Sequence, residues 1–554
     1  MERAPRQRFV QECRHVMEPL DPQPSPDETV DPDKPTLPTL PHRISILTGP
    51  PAASTAPPAP GQWLQDQPYG ASAHAPYAVA GSSRGERWKR LFVPLLVIAL
   101  LAGGAAVLFR DTLLPKDSTP AYPAEWDVRV APMADFVAAE RGLEWVHPVY
   151  VDFVAEADFV ALFDVPTAPL SDDDEAAARA YSLLYDAFGF AVDYDPKQGE
   201  STVSAVTTLG FYSPAADRVS LRGDQMTPAV RVVLAHELTH ALQAQHFELA
   251  TGGPNDLELR SVVEADALRV EEVYLATLPE VDQAAANQGN TLAPDAEQDL
   301  SDVPWAIVEQ RYAPYVLGPL LVGDVFAADG NEGVNALIRT PPTEEILLNP
   351  WLNGDPGQVP VEVALEVPLG TSVIDELQPF SQVDALIMLD AWLPWTQARE
   401  ALNSWAGSNF TSYQRESTVC FTATVTFDDS AARFAAAITA WASAAGSSAV
   451  PTTVVNDVTF EACNRGPGSA EPVTPQISTL QALQVEHEAI SLAGPDPSLA
   501  QIQRYQCFAA VMIDDGELAP LLLKTTLTTE EQSLFLWQST IAANECGVPP
   551  PIAP

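Results

Sequence analysis

The chain has 554 residues and a formal charge of -45, from 74 Asp and Glu against 29 Lys and Arg. That length allows several domains with sizeable cores. The charge excludes a nucleic-acid partner, whose phosphates need a basic surface, and docking of the bulk of the protein on an anionic membrane; a lysine-poor acidic surface suits high salt.

Residues 1–86 are rich in Pro, Ser, Ala and Asp. Such a segment buries too little apolar surface to offset its ordering entropy, so it reads as a disordered cytoplasmic tail. The run LFVPLLVIALLAGGAAVLF, residues 91–109, carries no charge and matches the length needed to cross a bilayer. Arg84, Arg87, Lys89 and Arg90 precede it, so the positive-inside rule keeps the N-terminus in the cytoplasm and exports the rest. A leading stretch of about 90 residues is too long for a cleaved signal peptide. A single span also excludes a transporter.

Residues 126–204 mix strand-like WVHPVYVDFV with helical DDDEAAARAYSLLYDAFG. They read as a small α/β subdomain ahead of the site, with a prodomain role as one open reading. LGFYSPAADRVSLRGD predicts two short strands around a turn, and Thr227-Pro228 opens a helix that carries HELTH. A second helix is predicted over 256–277, and two more around Tyr312 and Val325. The Pro-Pro at 341–342 breaks any helix there. Further on, VEVALEVP reads as a strand and MLDAWLPWTQAREALNSW as a helix.

The last part, residues 359–554, holds Cys420, Cys463, Cys507 and Cys546, while Cys13 lies alone before the apolar run. An even number in an oxidising compartment reads as two disulfides, with sequential pairing preferred. The stretch from Cys420 has strand–helix–strand character. Both cysteine-bounded stretches begin Cys-Phe, which suggests a weak duplication.

The chemistry sits in VVLAHELTHALQAQHFEL. His236 and His240 are four apart and share a helix face, so two imidazoles can meet one ion. Glu237 lies about 100° around that helix, within reach of water on the ion, which is the HExxH arrangement with a glutamate base. The flanks are apolar, and burying two histidines and a glutamate without partners would be costly. Catalytic zinc takes a third protein ligand and keeps one position open. His246 has the spacing of the HExxHxxGxxH class, but Gln243 stands where that class has glycine. On a continuous helix, His246 lies about 15 Å beyond His236. Glu264 fits better, a carboxylate in the apolar stripe Val262, Val263, Ala265, Ala267, Leu268 of the next helix. Glu258, Glu271 and Glu272 read as solvated or supporting, and Asp266 as the group that holds a histidine's free ring nitrogen.

HELTHALQAQHFEL followed by VEADA resembles the gluzincin zinc metallopeptidases. More closely it is similar to a group of bacterial membrane-anchored or secreted metallopeptidases with a GFYxP strand, HELTHALQDQHF, EGDA, PYxxG and PPxSTEQILHP. The matching pieces are Gly210-Phe211-Tyr212 with Pro214, His236 to Phe247, Glu264 to Ala267, Pro314-Tyr315 with Gly318, and PPTEEILLNP at 341–350. The resemblance covers roughly residues 205–352. The chain departs from the group's pattern at Ala244, Ala265 and Asn349, which replace an acidic residue, a glycine and a histidine.

The resemblance implies an α+β fold with a zincin-like core over 205–358 and an edge strand; the cysteines and the strand–helix–strand pattern add a disulfide-containing α/β accessory region after it. It implies Zn2+ on His236, His240 and Glu264, with Glu237 as general base. Tyr315 is the candidate oxyanion donor, with Tyr212 and Tyr312 behind it, or else a core tyrosine whose hydroxyl finds a local partner. Val219 to Leu221 is the expected edge, and the substrate a peptide or protein. Two rival functions remain: a zinc hydrolase of non-peptide amides or esters, and a noncatalytic cell-envelope binding protein with a structural zinc.

Overall fold

The computed structural model describes residues 122–163, 172–247, 249, 256–289, 300–354, 361, 363–472, 474–494, 497–524 and 527–550. The expected cytoplasmic tail, the apolar run 91–109 and Cys13 lie outside these. Among the described residues, no helix is long and apolar enough to cross a membrane.

The fold is α+β, with two sheets. Helix α1 (Ala131–Arg141) leads into β1 (Tyr150–Val154) and the short α2 (Glu156–Val160). Helices α3 (Asp172–Phe188) and α4 (Pro196–Thr207) precede the hairpin β2 (Gly210–Ser213) and β3 (Arg218–Arg222). Then come α5 (Pro228–His246), α6 (Asp256–Thr277), α7 (Glu280–Gly289) and the long α8 (Trp305–Arg339). The two helices expected around Tyr312 and Val325 form this one stretch, which is bent at Gly330, where φ is 62°. Thr227 caps α5 by accepting from the Val230 N–H, with Pro228 in the first turn.

The first sheet has the order β1-β3-β2. β1 runs parallel to β3 and β2 antiparallel to it. Val219 and Leu221 of β3 pack against Leu234, Leu238 and Leu242 of α5. Met133 and Val137 of α1 join the same cluster, so residues ahead of the hairpin form one core with the helix that carries HELTH.

Helix α9 (Glu344–Leu348) and a 3-10 turn (Pro350–Leu352) lead to β4 (Ser372–Gln378), α10 (Gln382–Asp390) and α11 (Trp395–Ala401). The single helix expected over 388–405 is thus split, because Pro394 cannot donate within one. Residues expected as a strand at 361–368 form none where described. Val361 N–H donates once, to the Ala406 carbonyl, and the strand begins at Ser372 instead.

Strands β5 (Trp405–Arg415) and β6 (Thr418–Phe427), helix α12 (Ala432–Ala445), and strands β7 (Thr452–Val454) and β8 (Asp457–Cys463) complete a sheet of order β4-β5-β6-β8-β7. Helices α13 (Thr479–Ser491), α14 (Leu499–Ile513), α15 (Ala519–Leu522) and α16 (Thr529–Cys546) close the chain. The disulfides are Cys420–Cys463, across neighbouring strands, and Cys507–Cys546, between α14 and α16. The suggested duplication fails. Ser498 with Gln501 and Thr528 with Glu531 form capping boxes, and Cys507 lies inside a helix rather than a strand.

Helix α13 starts against two carboxylates. The Leu480 N–H donates to Glu309 Oε2 of α8 at 2.8 Å, and the Thr479 hydroxyl to Asp390 Oδ2 of α10 at 2.8 Å. Burial pushes both carboxyls up to about 7. Their folded pKa values are raised, so their stabilising contribution is complete below about pH 4 and disappears as pH rises through about 7. The E309Q variant keeps an acceptor for Leu480 without the charge. Urea unfolding is expected to show it more stable than wild type at pH 8, by up to about 3 kcal/mol, and similar at pH 5. An equal shift at both pH values would show that the charge of Glu309 is not the cause.

Candidate metal centre

Helix α5 presents His236 and His240 on one face, and α6 brings Glu264 opposite them. The two Nε2 atoms are 3.0 Å apart, and Glu264 Oε2 lies 3.2 Å from His236 Nε2 and 3.1 Å from His240 Nε2. Donors 2.0–2.1 Å from one tetrahedral ion stand about 3.3 Å from each other, so this triangle is of the size that zinc requires. It is one of two groups of potential ligands found among the described residues. The other includes Cys420 and Cys463, whose sulfurs are already bonded to each other.

The other ring nitrogens fix the proton positions. His236 Nδ1 lies 3.0 Å from Glu271 Oε2, a group that only accepts. His240 Nδ1 lies 3.0 Å from Gln243 Oε1. The Gln243 amide nitrogen donates to the Val263 carbonyl at 3.1 Å and to Asp266 Oδ2 at 2.8 Å, which turns its oxygen toward the ring. Both Nδ1 atoms therefore carry a proton, and each ring, when neutral, aims an Nε2 lone pair at Glu264. Three acceptors this close need a positive centre among them.

A proton answers that need in part. Burial works against charge on His236, but the Glu264 and Glu271 carboxylates outweigh it and raise its pKa well above the ordinary value. His240 is likewise raised against burial, by Glu264. Burial would raise Glu264, yet the two imidazoles hold it well below the carboxylate range. A divalent cation serves the same site more fully, since metal ligands must shed those protons.

Glu237 is 6% exposed. Its carboxylate accepts from the Tyr212 backbone N–H on β2. Burial raises its pKa, and the two imidazoles offset that only in part. Gly210 makes the close approach of β2 possible, because a Cβ there would stand 2.8 Å from Val233 Cγ1 and 3.2 Å from Glu237 Cγ.

Tyr315 reaches the centre from α8, where its hydroxyl donates to Glu264 Oε1 at 3.0 Å. Burial and the Glu264 charge raise its pKa. Tyr212 donates its hydroxyl to Asp217 at 2.8 Å, so its backbone, not its ring, serves Glu237. The crossing of α6 and α8 is tight. A Cβ at Gly318 would stand 1.9 Å from the Ser261 carbonyl oxygen.

Several expected roles change. Asp266 touches neither ring; it reaches His240 only through Gln243, and its own charge is paired with Arg141 Nε at 2.8 Å. His246 Nε2 meets the Glu144 carbonyl at 2.7 Å at the end of α5, away from the triad. The Val219 to Leu221 stretch is no edge, since β3 is paired on both sides, and β2 is the edge strand beside α5. Asn349 holds the accessory region, with its oxygen accepting from Arg399 at 2.7 Å and its nitrogen donating to the Glu345 carbonyl.

From the sequence alone, Arg141 has no role and Gln243 is noted only as standing in place of a glycine, not as the partner of His240. Gln243 carried a usable signal, three residues past His240 on the same face.

Zinc titration of the purified protein is expected to give one ion per chain, lost in E264A. The Q243L and E271Q variants each release one ring and are expected to bind about 10–100-fold more weakly. Zinc held equally by E264A would assign the third ligand elsewhere. No protein-family model, curated protein or solved structure matches this chain.

Proposed function

We propose that the chain is a membrane-anchored, exported zinc peptidase that hydrolyses peptide or protein substrates with Glu237 as general base. Glu237 supports this reading most. A structural zinc site closes its coordination with four protein ligands. Here three donors converge, and the group beside them is a buried carboxylate for which no side-chain donor is found among the described residues. Keeping such a group there costs stability, and a purely structural ion gains nothing from it.

The donor set, two imidazoles and a carboxylate, suits zinc, which supplies Lewis-acid polarisation and lowers the pKa of water. Glu237 takes the proton of the attacking water on its carboxylate and returns it to the leaving amine. Tyr315, its proton committed to Glu264, acts as a positioning residue that fixes one oxygen of the ligand. Glu271 and Gln243 hold the rings. A helix bearing HExxH beside an edge strand is the arrangement expected of a zincin core, with β2 the strand along which a peptide would lie.

The test separates catalysis from metal binding. Zinc-loaded wild type is expected to cleave a peptide library followed by mass spectrometry. The E237Q variant is expected to keep its zinc and to lose about 10²–10⁴-fold in rate. A fully loaded wild type that cleaves no peptide, or an E237Q that cleaves as fast, would refute the peptidase reading.

A further inference from the structure

Cations are scarce in this chain, 29 against 74 acidic residues, and its buried arginines are claimed by carboxylates. Arg141 is paired with Asp266, Arg399 with Glu486 and Arg465 with Asp186. Arg311 departs from this pattern. It is half-buried on α8, no ion pair is found for it among the described residues, and its side chain hydrogen-bonds Tyr315, with the Glu264 carboxylate as the charge near it.

Its position is tied to the metal centre. Arg311 lies one turn before Tyr315 on the same helix face, with its guanidinium 6.0 Å from the Tyr315 ring centre. Tyr315 in turn holds Glu264. Arg260 lies one turn before Glu264 on the same face of α6, and both arginines act on Tyr315 and on Glu200 of α4. One end of the α6–α8 pair thus carries two guanidinium groups beside the triad, in a chain whose overall field repels anions. Once Glu264 serves a divalent ion, its charge no longer balances Arg311.

We propose that Arg311 is the subsite that takes a substrate carboxylate next to the scissile bond, either the free C-terminus of a peptide or an Asp or Glu side chain. An arginine fork matches a carboxylate in two parallel hydrogen bonds. This inference rests on the peptidase reading, and its test has a readout that does not need turnover.

The zinc-loaded full chain is given matched peptides ending in a free acid or an amide, and a second pair with Glu or Gln after the scissile bond. Wild type is expected to favour one carboxylate form by about 10–100-fold in kcat/KM, mostly through KM. In R311M that ratio is expected to fall to about one, and in R311K to an intermediate value. A preference for free acids marks the C-terminus as the ligand, and a preference for Glu marks a side chain. Calorimetric binding of the same peptides to E237Q and to E237Q/R311M, both zinc-loaded, should repeat the pattern without hydrolysis. That second readout decides the matter even if wild type cleaves nothing. A ratio near one in wild type overturns the proposal, as does a ratio unchanged in R311M and R311K, which is what a role confined to supporting Tyr315 would give.

Discussion

Asp266 is fully enclosed, and so is the arginine it faces. A carboxylate in that position is tolerable only if its charge is paired and its oxygens accept hydrogen bonds; Arg141 pairs with it, and Gln243 and Arg269 donate to it. Arg141 arrives from α1 at 2.8 Å, Gln243 from α5 at 2.8 Å, and Arg269 from the next turn of α6 at 3.4 Å. Each tie has a consequence elsewhere. Gln243, turned by Asp266, sets the tautomer of His240. Arg141 continues to Asn331 at 2.7 Å and Asn335 at 2.8 Å, both on α8. A single buried charge therefore links the first helix, both ligand-bearing helices and the helix that carries Tyr315.

The candidate metal triad inherits its geometry from that arrangement. Lone pairs from His236, His240 and Glu264 converge within 3.2 Å because partners behind them leave no alternative orientation. Removing one partner of a buried ion pair typically costs about 3–5 kcal/mol, so Arg141 and Asp266 matter to stability first and to the geometry of the triad second. The accessory region is anchored in a related way. Arg399 pairs with Glu486 at 3.0 Å and donates to Asn349 beyond α9. The residue that departs from the resembling group's histidine thus joins the C-terminal helices to the segment after α8.

How much of this could be read beforehand depended on range. Helices α5 and α6 were legible because apolar periodicity, the Thr227-Pro228 start and the HExxH spacing are all local. Glu264 was legible because a carboxylate in an apolar stripe demands a reason. Two disulfides followed from the even cysteine count, while their sequential pairing was one of three connectivities that count allows. Arg141 had no such signal, since it and Asn335 are 194 residues apart and nothing near Arg141 marks it as buried. The errors in the accessory region had local causes. Val361 and Val363 suggested a strand by composition, but a single backbone bond to Ala406 makes no ladder. The shared Cys-Phe start of two segments outweighed the capping boxes that mark the second as helical.

Ala265, where the resembling group has glycine, bears on whether the centre keeps its shape. A methyl group added between two closely crossing helices would normally force them apart, costing about 1–3 kcal/mol and moving Tyr315 away from Glu264. The clearance here comes from the opposite helix. Gly318 of α8 faces Ser261 and Ala265, and a Cβ at Gly318 would stand 2.9 Å from the Ala265 Cβ and 1.9 Å from the Ser261 carbonyl oxygen. One small residue at the crossing is compulsory, and Gly318 supplies it. The Ala265 side chain then occupies space that α8 leaves open, and it is 2% exposed. Helix α6 stays close enough for the 3.0 Å bond from Tyr315 to Glu264, so the departure at 265 changes the packing of the crossing while the ligand carboxylate keeps its place.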